Sequence, residues 1–202
     1  MLLNINSENP QLRLITKAVQ VLNDGGVIIC PTDTAYGMGC DLFNRKGIEK
    51  IYEIKQRSKK QPFSIVCADL SDISNYAVVS NYAYKIMKRL LPGPYTFVLE
   101  ASRLVPKILM PKRKTVGIRV PDNRICLTLV GEFGRPIIST SVMTEQGEIM
   151  VDPLEMEKKL NRHVDLFIDG GIITTELSSV VSLVDDVPEV IRVGRGDVGA
   201  FQ

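Results

Sequence analysis

The sequence predicts one α/β domain with a mixed β-sheet, and three observations lead to that prediction. Segments with helical and strand-like patterns alternate along the chain. No linker, internal repeat or shift in composition divides it. Its 202 residues, 45% of them hydrophobic, are enough to bury a single sizeable core. We therefore treat residues 1–202 as a single domain.

Four segments carry apolar residues at helical spacing. In the first, residues 10–23, the apolar stripe includes Leu14 and Leu22, and the pair Gly25-Gly26 ends it. Proline or glycine also follows the last two of these segments, as expected after a helix. The other predicted helices cover residues 45–56, 80–91 and 125–133.

Short runs of β-branched and aromatic residues predict the strands. The run at residues 27–30 is entirely apolar, as expected of a buried strand, and it stops at Pro31. The segment that follows predicts a loop containing Gly37 and Gly39. The other predicted strands cover residues 63–67, 95–101, 116–120, 137–142, 164–168, 180–184 and 189–193.

The composition argues against a membrane or secreted protein. No apolar run approaches the roughly 20 residues that a bilayer-spanning helix needs. The first ten residues lack the basic and apolar regions of a secretory signal. We therefore expect a cytoplasmic protein without membrane contacts, and the sequence leaves its oligomeric state open.

The cysteines and the single histidine give little support for metal or histidine chemistry. The cysteines are Cys30, Cys40, Cys67 and Cys126. They are at least ten residues apart among apolar or small neighbours, so we expect free thiols in the core. His163 has no Cys or His partner at metal-binding spacing, and the chain contains no Gly-x-Ser-x-Gly sequence. The sequence thus identifies no protein ligands for a metal.

Charge is unevenly distributed, although the formal net charge is only +2. Residues 45–124 contain 17 Lys and Arg against 6 Asp and Glu, whereas the rest of the chain contains 8 against 17. Such a basic segment indicates an anionic partner, either the phosphates of a nucleotide or the backbone of a nucleic acid. A basic face that only contacts water is the alternative.

The loop after the first strand carries the most informative short motif. It reads Pro31-Thr-Asp-Thr-Ala-Tyr-Gly-Met-Gly39, with three hydroxyls and a carboxylate at the carboxyl end of a strand. Open α/β sheets bind ligands at that end of their strands, and Gly37 would let the backbone approach a ligand closely. The Walker pattern of a phosphate-binding loop is absent. An ordinary strand-to-helix connection is the alternative.

Cations and hydroxyls elsewhere supply further candidates. Lys55 and Arg57 are spaced to bind one polyphosphate, although cations at a helix end also interact favourably with the helix dipole. Thr115 and Arg119 share one face of a strand, where Arg119 either holds an anionic ligand or forms a structural salt bridge. The Ser-Thr-Ser sequence at residues 139–141 can bind a polar ligand or simply end a strand.

Together and in this order, these segments resemble the YrdC/YciO family, and most closely its YciO branch. The resemblance is carried by seven segments in register, which span nearly the whole chain. They are Pro31-Thr-Asp-Thr-Ala-Tyr-Gly-Met-Gly39, Lys55-Gln-Arg57, Leu91-Pro-Gly-Pro-Tyr-Thr96, Gly117-Ile-Arg-Val-Pro121, Ser139-Thr-Ser141, Ser178-Ser-Val-Val181 and Arg192-Val-Gly194.

The resemblance implies a twisted mixed α/β sheet with a basic concave face. For the characterised branch it also implies an enzyme that makes threonylcarbamoyl-AMP from L-threonine, bicarbonate and ATP and releases pyrophosphate. That product serves the modification of the adenosine next to the anticodon in tRNA. ATP would then be a substrate whose charge Mg²⁺ shares, and RNA would be a partner.

Carried over residue by residue, the resemblance implies two sets of site residues. The set around threonine is Thr32, Tyr36, Arg119, Ser141 and Ser178. The set that meets ATP is Lys55, Arg57, Thr115 and Arg192. Lys55 and Arg57 would also carry catalysis, because attack on the α-phosphate needs the charge of its oxygens neutralised and the nucleophile held in line.

Three departures from the family pattern put the nucleotide site in question. The family sequence Ser-x-Asn, whose Asn contacts the nucleotide, ends here in Met143, which cannot make an amide's hydrogen bonds. Ser182 stands where an Asp is expected, and residues 64–67 lack a His that many relatives carry. The second hypothesis is therefore a non-catalytic module that binds double-stranded RNA or tRNA in translation or ribosome biogenesis.

Overall fold

The computed structural model describes residues 1–56, 63–110, 113–174 and 176–201. Within these ranges ten strands form one mixed sheet, and six α-helices accompany it. The strands are β1 (Leu2–Asn4), β2 (Ile28–Cys30), β3 (Gly37–Gly39), β4 (Ser64–Val66), β5 (Tyr95–Glu100), β6 (Thr115–Arg119), β7 (Ile137–Ser141), β8 (Leu166–Asp169), β9 (Ser179–Ser182) and β10 (Glu189–Arg192). The helices are α1 (Leu12–Asn23), α2 (Arg45–Ile54), α3 (Leu70–Tyr76), α4 (Asn81–Leu90), α5 (Arg124–Phe133) and α6 (Pro153–Leu160).

The sheet combines parallel and antiparallel neighbours. Its strand order is β1-β8-β2-β3-β7-β4-β6-β5-β9-β10. The pairs β1–β8, β2–β8, β4–β6 and β5–β9 are parallel, and the other neighbours are antiparallel. The single α/β domain with a mixed sheet that the sequence predicts is therefore confirmed.

Alternating side chains divide the core between the two faces of the sheet. One face carries Ile29, Ile65 and Ile118, which pack with apolar residues of α2, α3, α4 and α6 in a first cluster. The opposite face carries Ile28 and Val66, which pack with residues of α1 and α5 in a second cluster. Removal of these side chains from water is the main stabilising contribution to the fold.

The predicted helices and strands are all present, and their ends agree with the structure to within two residues. Side-chain caps explain several of the helix starts. The side chains of Asn44, Ser80 and Asn123 accept hydrogen bonds from backbone N–H groups in the first turns of α2, α4 and α5. The helix α5 ends at Gly134, whose left-handed backbone (φ 71°) favours glycine.

One prediction about the site loop is wrong. Residues 37–39 form strand β3, which pairs with β2 and β7, instead of continuing the loop. Two glycines in three residues give little strand signal, yet the close packing of the sheet requires them. A Cβ atom on Gly39 would collide with the carbonyl oxygen of Ile138 on the neighbouring strand.

Strand β1 and helices α3 and α6 are not among the predicted elements. The helices have recognisable starts, because the side chains of Asp69 and Asp152 cap them and Pro153 occupies the first turn of α6. Their lengths of seven and eight residues leave too few turns for a clear apolar stripe. Strand β1 has only three residues.

The four cysteines are free thiols in the core, as predicted. Burial raises the pKa of the Cys40 thiol to about 12 and that of the Cys67 thiol still higher. These thiols are therefore neutral at physiological pH. None of the described helices combines the length and apolar character needed to cross a bilayer.

Candidate functional site

Part of the sheet's second face has no helical cover among the described residues. The strand residues of the second cluster come from β1, β2, β4, β7 and β8, next to α1 and α5. On the same face, β5 and β6 present Thr96 and Gly117, and Ser64 occupies the start of β4. Beyond the part of this face that α1 and α5 cover, small and polar side chains thus take the place of apolar ones.

A row of hydroxyl side chains and glycines crosses this open face, and we call it the hydroxyl stripe. It consists of Thr32, Gly37, Ser139, Ser64, Gly117, Thr96 and Ser178. The row extends over the ends or interiors of neighbouring strands from β2 to β9. The row places hydrogen-bonding groups side by side on neighbouring strands.

At one end of the stripe, Thr32, Gly37 and Ser139 lie close together. A Cβ atom built on Gly37 would lie 2.5 Å from the Ser139 Oγ and 3.7 Å from the Thr32 Cγ2. Ser139 pairs with Ser64 across β7 and β4. Because Gly37 has no side chain, the side chains of Ser139 and Thr32 can both approach its backbone closely.

The other end of the stripe has the same construction. A Cβ atom on Gly117 would lie 3.2 Å from both the Ser64 Oγ and the Thr96 Cγ2. The Thr96 Oγ1 and the Ser178 Oγ are 2.8 Å apart and share a hydrogen bond. Ser178 thus continues the row that begins at Thr32.

Two of the candidate cations donate hydrogen bonds to serine residues at or near strand ends. The Lys55 ammonium at the end of α2 donates to the Ser141 carbonyl oxygen at 3.0 Å. The Arg192 guanidinium donates to the Ser178 carbonyl oxygen at 2.8 and 3.0 Å and to its Oγ at 3.1 Å. The contact of Lys55 is with the backbone of Ser141, and Lys55 also lines a cavity together with Met38 and Val142 of the first cluster.

Arg119 forms the salt bridge that the sequence left as one of two alternatives. Its Nη2 donates to the Asp33 Oδ1 at 2.6 Å and to the Thr34 Oγ1 at 3.0 Å, and both charged side chains are about 8% exposed. Burial lowers the pKa of the Arg119 guanidinium, which the Asp33 carboxylate opposes. The buried Arg119 Nε–H has no hydrogen-bond partner among the described residues. One donor thus remains available to an anionic ligand.

Thr32 and Tyr36 are buried, and their hydroxyls are engaged within the protein. The Thr32 hydroxyl donates to the Ala35 carbonyl oxygen at 2.6 Å and so shapes the loop. The Tyr36 hydroxyl donates to the Gly171 carbonyl oxygen at 2.6 Å and accepts from the Gly170 N–H at 3.1 Å. Burial raises the pKa of Tyr36 well above its ordinary value. Tyr36 belongs to the first cluster, so it supports the site loop from beneath.

The remaining candidates have different positions. Thr115 begins β6, pairs with Glu100, and shares a strand face with Gly117 and Arg119. Arg57 lies outside the described residues, so its predicted partnership with Lys55 stays a prediction. Of the nine candidates, the described ones adjoin the second face except Tyr36, which lies behind it, and Lys55, which contacts the backbone of Ser141.

A cavity of about 720 Å³ lies beside Lys55. Its walls include Lys50, Lys55, Met143, Lys159, Leu160 and His163. Met143, which departs from the family's Ser-x-Asn pattern, thus contributes an apolar thioether to this cavity where an amide is expected. Its size lies within the range of about 300 to 1,000 Å³ typical of small-molecule sites.

Sequence reasoning missed Ser64 and Thr96 as members of the site. A signal was present for each. Ser64 interrupts an otherwise apolar strand, and Thr96 is a polar residue in a strand whose neighbours Tyr95 and Phe97 enter the core. Gly117 lies next to both Ser64 and Thr96, so the three residues come together from segments that are far apart in the sequence.

The described residues provide no dedicated metal cage. No group of three or more His, Cys, Asp or Glu side chains in those ranges is arranged to hold a metal ion. Mg²⁺ that accompanies a nucleotide is held largely by phosphate oxygens and water. The described side chains are thus compatible with a Mg²⁺ ion that is bound to the phosphates of a nucleotide. We assign no chemical step to the metal.

Comparison with known proteins identifies the family. The family model for Sua5, YciO and YrdC, described as "Telomere recombination", matches residues 20–194. The chain belongs to the Sua5/YciO/YrdC family. YciO of Escherichia coli strain K12 is 42% identical over 199 residues, which are 98% of this chain and 97% of YciO. The crystal structure of E. coli YciO matches with a TM-score of 0.96 and 41% identity, covering 100% of this chain and 99% of YciO.

Two further members of the Sua5/YciO/YrdC family bear on chemistry. Threonylcarbamoyl-AMP synthase of Mus musculus is 34% identical over 155 residues, which are 76% of this chain and 54% of the mouse protein. The crystal structure of P. abyssi Sua5 complexed with L-threonine matches with a TM-score of 0.89 and 26% identity, covering 96% of this chain and 57% of Sua5. The family and fold that the sequence predicts are therefore confirmed.

Proposed function

We propose that this protein makes threonylcarbamoyl-AMP from L-threonine, bicarbonate and ATP and releases pyrophosphate. The observation that carries the proposal is the hydroxyl stripe with Arg192 bound to Ser178 at one end, together with Lys55, which contacts the backbone of Ser141 on the strand that carries Ser139. Relatives named for this activity and a Sua5 structure with L-threonine support it. The product would serve tRNA modification.

The proposed reaction needs positioned charge more than proton transfer. The ammonium of threonine first releases a proton to solvent, and the neutral amine attacks the carbon of bicarbonate. A nitrogen–carbon bond forms and water leaves, which gives a carbamate whose anionic oxygen attacks the α-phosphorus of ATP. A new oxygen–phosphorus bond forms, the bond to the bridging oxygen of the β-phosphate breaks, and pyrophosphate leaves with its electron pair. The attacking oxygen is already anionic, so the step needs no histidine as a general base. Fixed cations and hydroxyls can neutralise the charge and hold the reactants in line.

The described side chains suit these roles in different ways. Lys55, together with Arg57, would bind phosphate oxygens near Ser141, and Thr115 and Arg192 would complete the nucleotide contacts. An ammonium has three donors, and the bond to the Ser141 carbonyl oxygen fixes the direction of one of them. We expect Mg²⁺ to arrive with ATP as its counter-ion.

Threonine would lie at the Arg119 and Ser178 side of the stripe. The Arg119 Nε–H is a buried donor without a partner among the described residues, which suits an anionic oxygen of the carbamate or carboxylate. The hydroxyl of Ser178 is held by Thr96 and Arg192 and so has a fixed orientation. Thr32 and Tyr36 would act through the shape of the loop.

Release of pyrophosphate tests the proposal. Wild-type protein should release pyrophosphate from ATP only when both L-threonine and bicarbonate are present. Lys55→Ala and, separately, Arg57→Ala should lower the rate about 100-fold or more, the usual effect of removing one group that stabilises transition-state charge. Lys46→Ala removes an exposed lysine from the first turn of the same helix and is the matched control.

Two results would contradict the proposal. Pyrophosphate formation by the wild-type protein at the rate without enzyme, with all three substrates present, would exclude it. A rate that is independent of threonine would exclude the proposed substrate.

A second candidate function is RNA binding without chemistry, and the cavity beside Lys55 is the observation that favours it. Lys50, Lys55 and Lys159 line that cavity, alongside Glu53 and Glu145, and the three lysines could follow a phosphate backbone. Affinity for tRNA or double-stranded RNA should then fall steeply as salt is raised from 50 to 200 mM. Lys159→Gln should reduce the salt slope by about 1, whereas Lys158→Gln on the same helix should not. A flat salt response would contradict RNA binding.

A further inference from the structure

A separate cavity of about 420 Å³ lies between the first turn of α2 and a short 3₁₀ helix at Lys107–Leu109. Its lining residues are Phe43, Arg45, Ile48, Pro106, Lys107 and Ile108. Ile48 is fully buried in the first cluster, and Ile108 packs against that cluster. The cavity therefore lies on the side of the sheet opposite the hydroxyl stripe. It shares no lining residue with the cavity beside Lys55.

Most of the wall of this cavity is apolar, because four of the six lining side chains are apolar. The Phe43 ring lies 6.5 Å from the Tyr76 ring, measured between centroids, and Phe43 is still 50% exposed. Pro106 and Ile108 provide further apolar surface beside it. A ligand with an apolar body would remove this surface from water, which is favourable.

Both charged residues of the cavity are cations. The Arg45 Nε donates to the Glu49 Oε1 at 3.1 Å in an exposed pair, which contributes little to stability. The two terminal nitrogens of Arg45 have no hydrogen-bond partner among the described residues. Within the same ranges, the Lys107 ammonium has no hydrogen bond or ion pair. An anionic group at this position would thus meet two cations with unused donors.

These charges and the size of the cavity limit what can bind there. A second copy of the same surface is disfavoured, because like charges would face each other. The lining comes from two short segments and six residues, far fewer than the roughly 20 to 30 residues on one side of a typical protein interface. The volume suits one small molecule.

We propose that this cavity binds a small aromatic carboxylate, whose ring covers Phe43 and Pro106 and whose carboxylate lies between Arg45 and Lys107. The planar guanidinium of Arg45 matches the geometry of a carboxylate, and the Lys107 ammonium adds a second charge. The inference concerns a site apart from the open face and does not depend on the reaction proposed above.

Three probes separate the contribution of the ring from that of the charge. 3-Phenylpropionate has both groups, 3-phenylpropionamide lacks the charge, and propionate lacks the ring. In ¹H–¹⁵N spectra, 3-phenylpropionate should shift the amides of Arg45, Ile48 and Ile108 and leave those of Gly37 and Gly117 unmoved. The wild type should bind it about tenfold or more tightly than either other probe, because each of those lacks one of the two contacts.

Variants assign each contact to a residue. Arg45→Gln and Lys107→Gln should each weaken 3-phenylpropionate binding about fivefold and change 3-phenylpropionamide binding by less than about twofold, since only the acid loses a charge-assisted hydrogen bond. Phe43→Ala should weaken the binding of both ring-bearing probes. Lys46→Gln and Arg103→Gln remove exposed cations that do not line the cavity, and both controls should bind like the wild type.

Four results would overturn the inference. Equal affinity of the wild type for the three probes would indicate adventitious contact only. Unmoved amides at the cavity, or shift changes centred on Gly37 and Gly117, would exclude this cavity as the site. Equal losses for the acid and the amide in Arg45→Gln would indicate a general structural effect. Pyrophosphate release is not measured in this test, so its outcome and that of the proposed function are independent.

Discussion

At the scale of single residues, the ion pair between Arg119 and Asp33 connects stability with the site. Both side chains are buried, so each charge depends on the other for compensation. Asp33 also accepts the backbone N–H of Asp122 and, through its carbonyl oxygen, a donor from Arg195. One loop residue thus holds together three segments that surround the proposed threonine site.

Neutralising Asp33 should therefore destabilise the fold. We expect Asp33→Asn to lower the free energy of unfolding by about 3 kcal/mol, because it leaves the Arg119 charge buried without a counter-charge. Urea denaturation measures the change. Glu132→Gln, at an exposed helix position, should change stability by less than about 0.5 kcal/mol. A loss below about 1 kcal/mol for Asp33→Asn would show that the pair is not an essential buried contact.

The cysteines offer a second test at this scale. Burial raises the pKa of Cys40 to about 12, so at pH 8 the reactive thiolate is a very small fraction of this thiol. We expect iodoacetamide at pH 8 to modify none of the four cysteines in the folded protein and all four in denaturant, as counted by mass spectrometry. Rapid modification of the native protein would contradict the buried positions.

Residue types could be predicted from the sequence, but several residue partners could not. Arg119 and Thr32 stand out because a charge and a hydroxyl occur beside apolar strand segments. The contact between Arg119 and Asp33 joins positions 86 residues apart, and no local pattern encodes that separation. The fully buried position of Tyr36 likewise depends on Gly170 and Gly171 far along the chain.

At the scale of elements, glycine positions decide how closely neighbouring strands approach. Gly37 and Gly117 belong to the hydroxyl stripe, where a Cβ atom would press against Ser139 or against Ser64. Gly131, in helix α5, has open space around the same position. Gly37 and Gly131 therefore allow a controlled comparison of a crowded and an open position.

Alanine at these positions should have opposite effects. Gly37→Ala should lower the free energy of unfolding by about 1 to 3 kcal/mol, because the added methyl group overpacks the strands, and should also reduce pyrophosphate release. Gly131→Ala should raise the free energy of unfolding by about 0.5 kcal/mol, because alanine favours a helix interior. Thermal unfolding of the two variants measures both changes. Equal stability of the two would contradict the close packing at Gly37.

Elements with strong local patterns are predictable, and those defined by tertiary packing are not. Helix α1 and strand β2 follow from apolar periodicity and from the Gly and Pro that end them. Strand β3 depends on its two neighbours, since its three residues have no strand preference of their own.

At the scale of the whole molecule, the order of the strands determines where the site lies. The first cluster extends along one face with four helices, whereas the second cluster involves α1 and α5 and fewer strands. The sequence predicts the α/β class but not this strand order, because the order depends on pairings between distant segments. The open face that carries the hydroxyl stripe follows from that unequal cover.

A ¹H–¹⁵N correlation spectrum recorded with L-threonine and a non-hydrolysable ATP analogue is the most direct test that this open face binds the substrates. We expect the largest shift changes at the amides of Gly37, Ser64, Gly117 and Ser139, with Ala83 and Met87 of α4 on the other face unaffected. Changes confined to α4 and its neighbours, with the stripe amides unmoved, would contradict the proposed site.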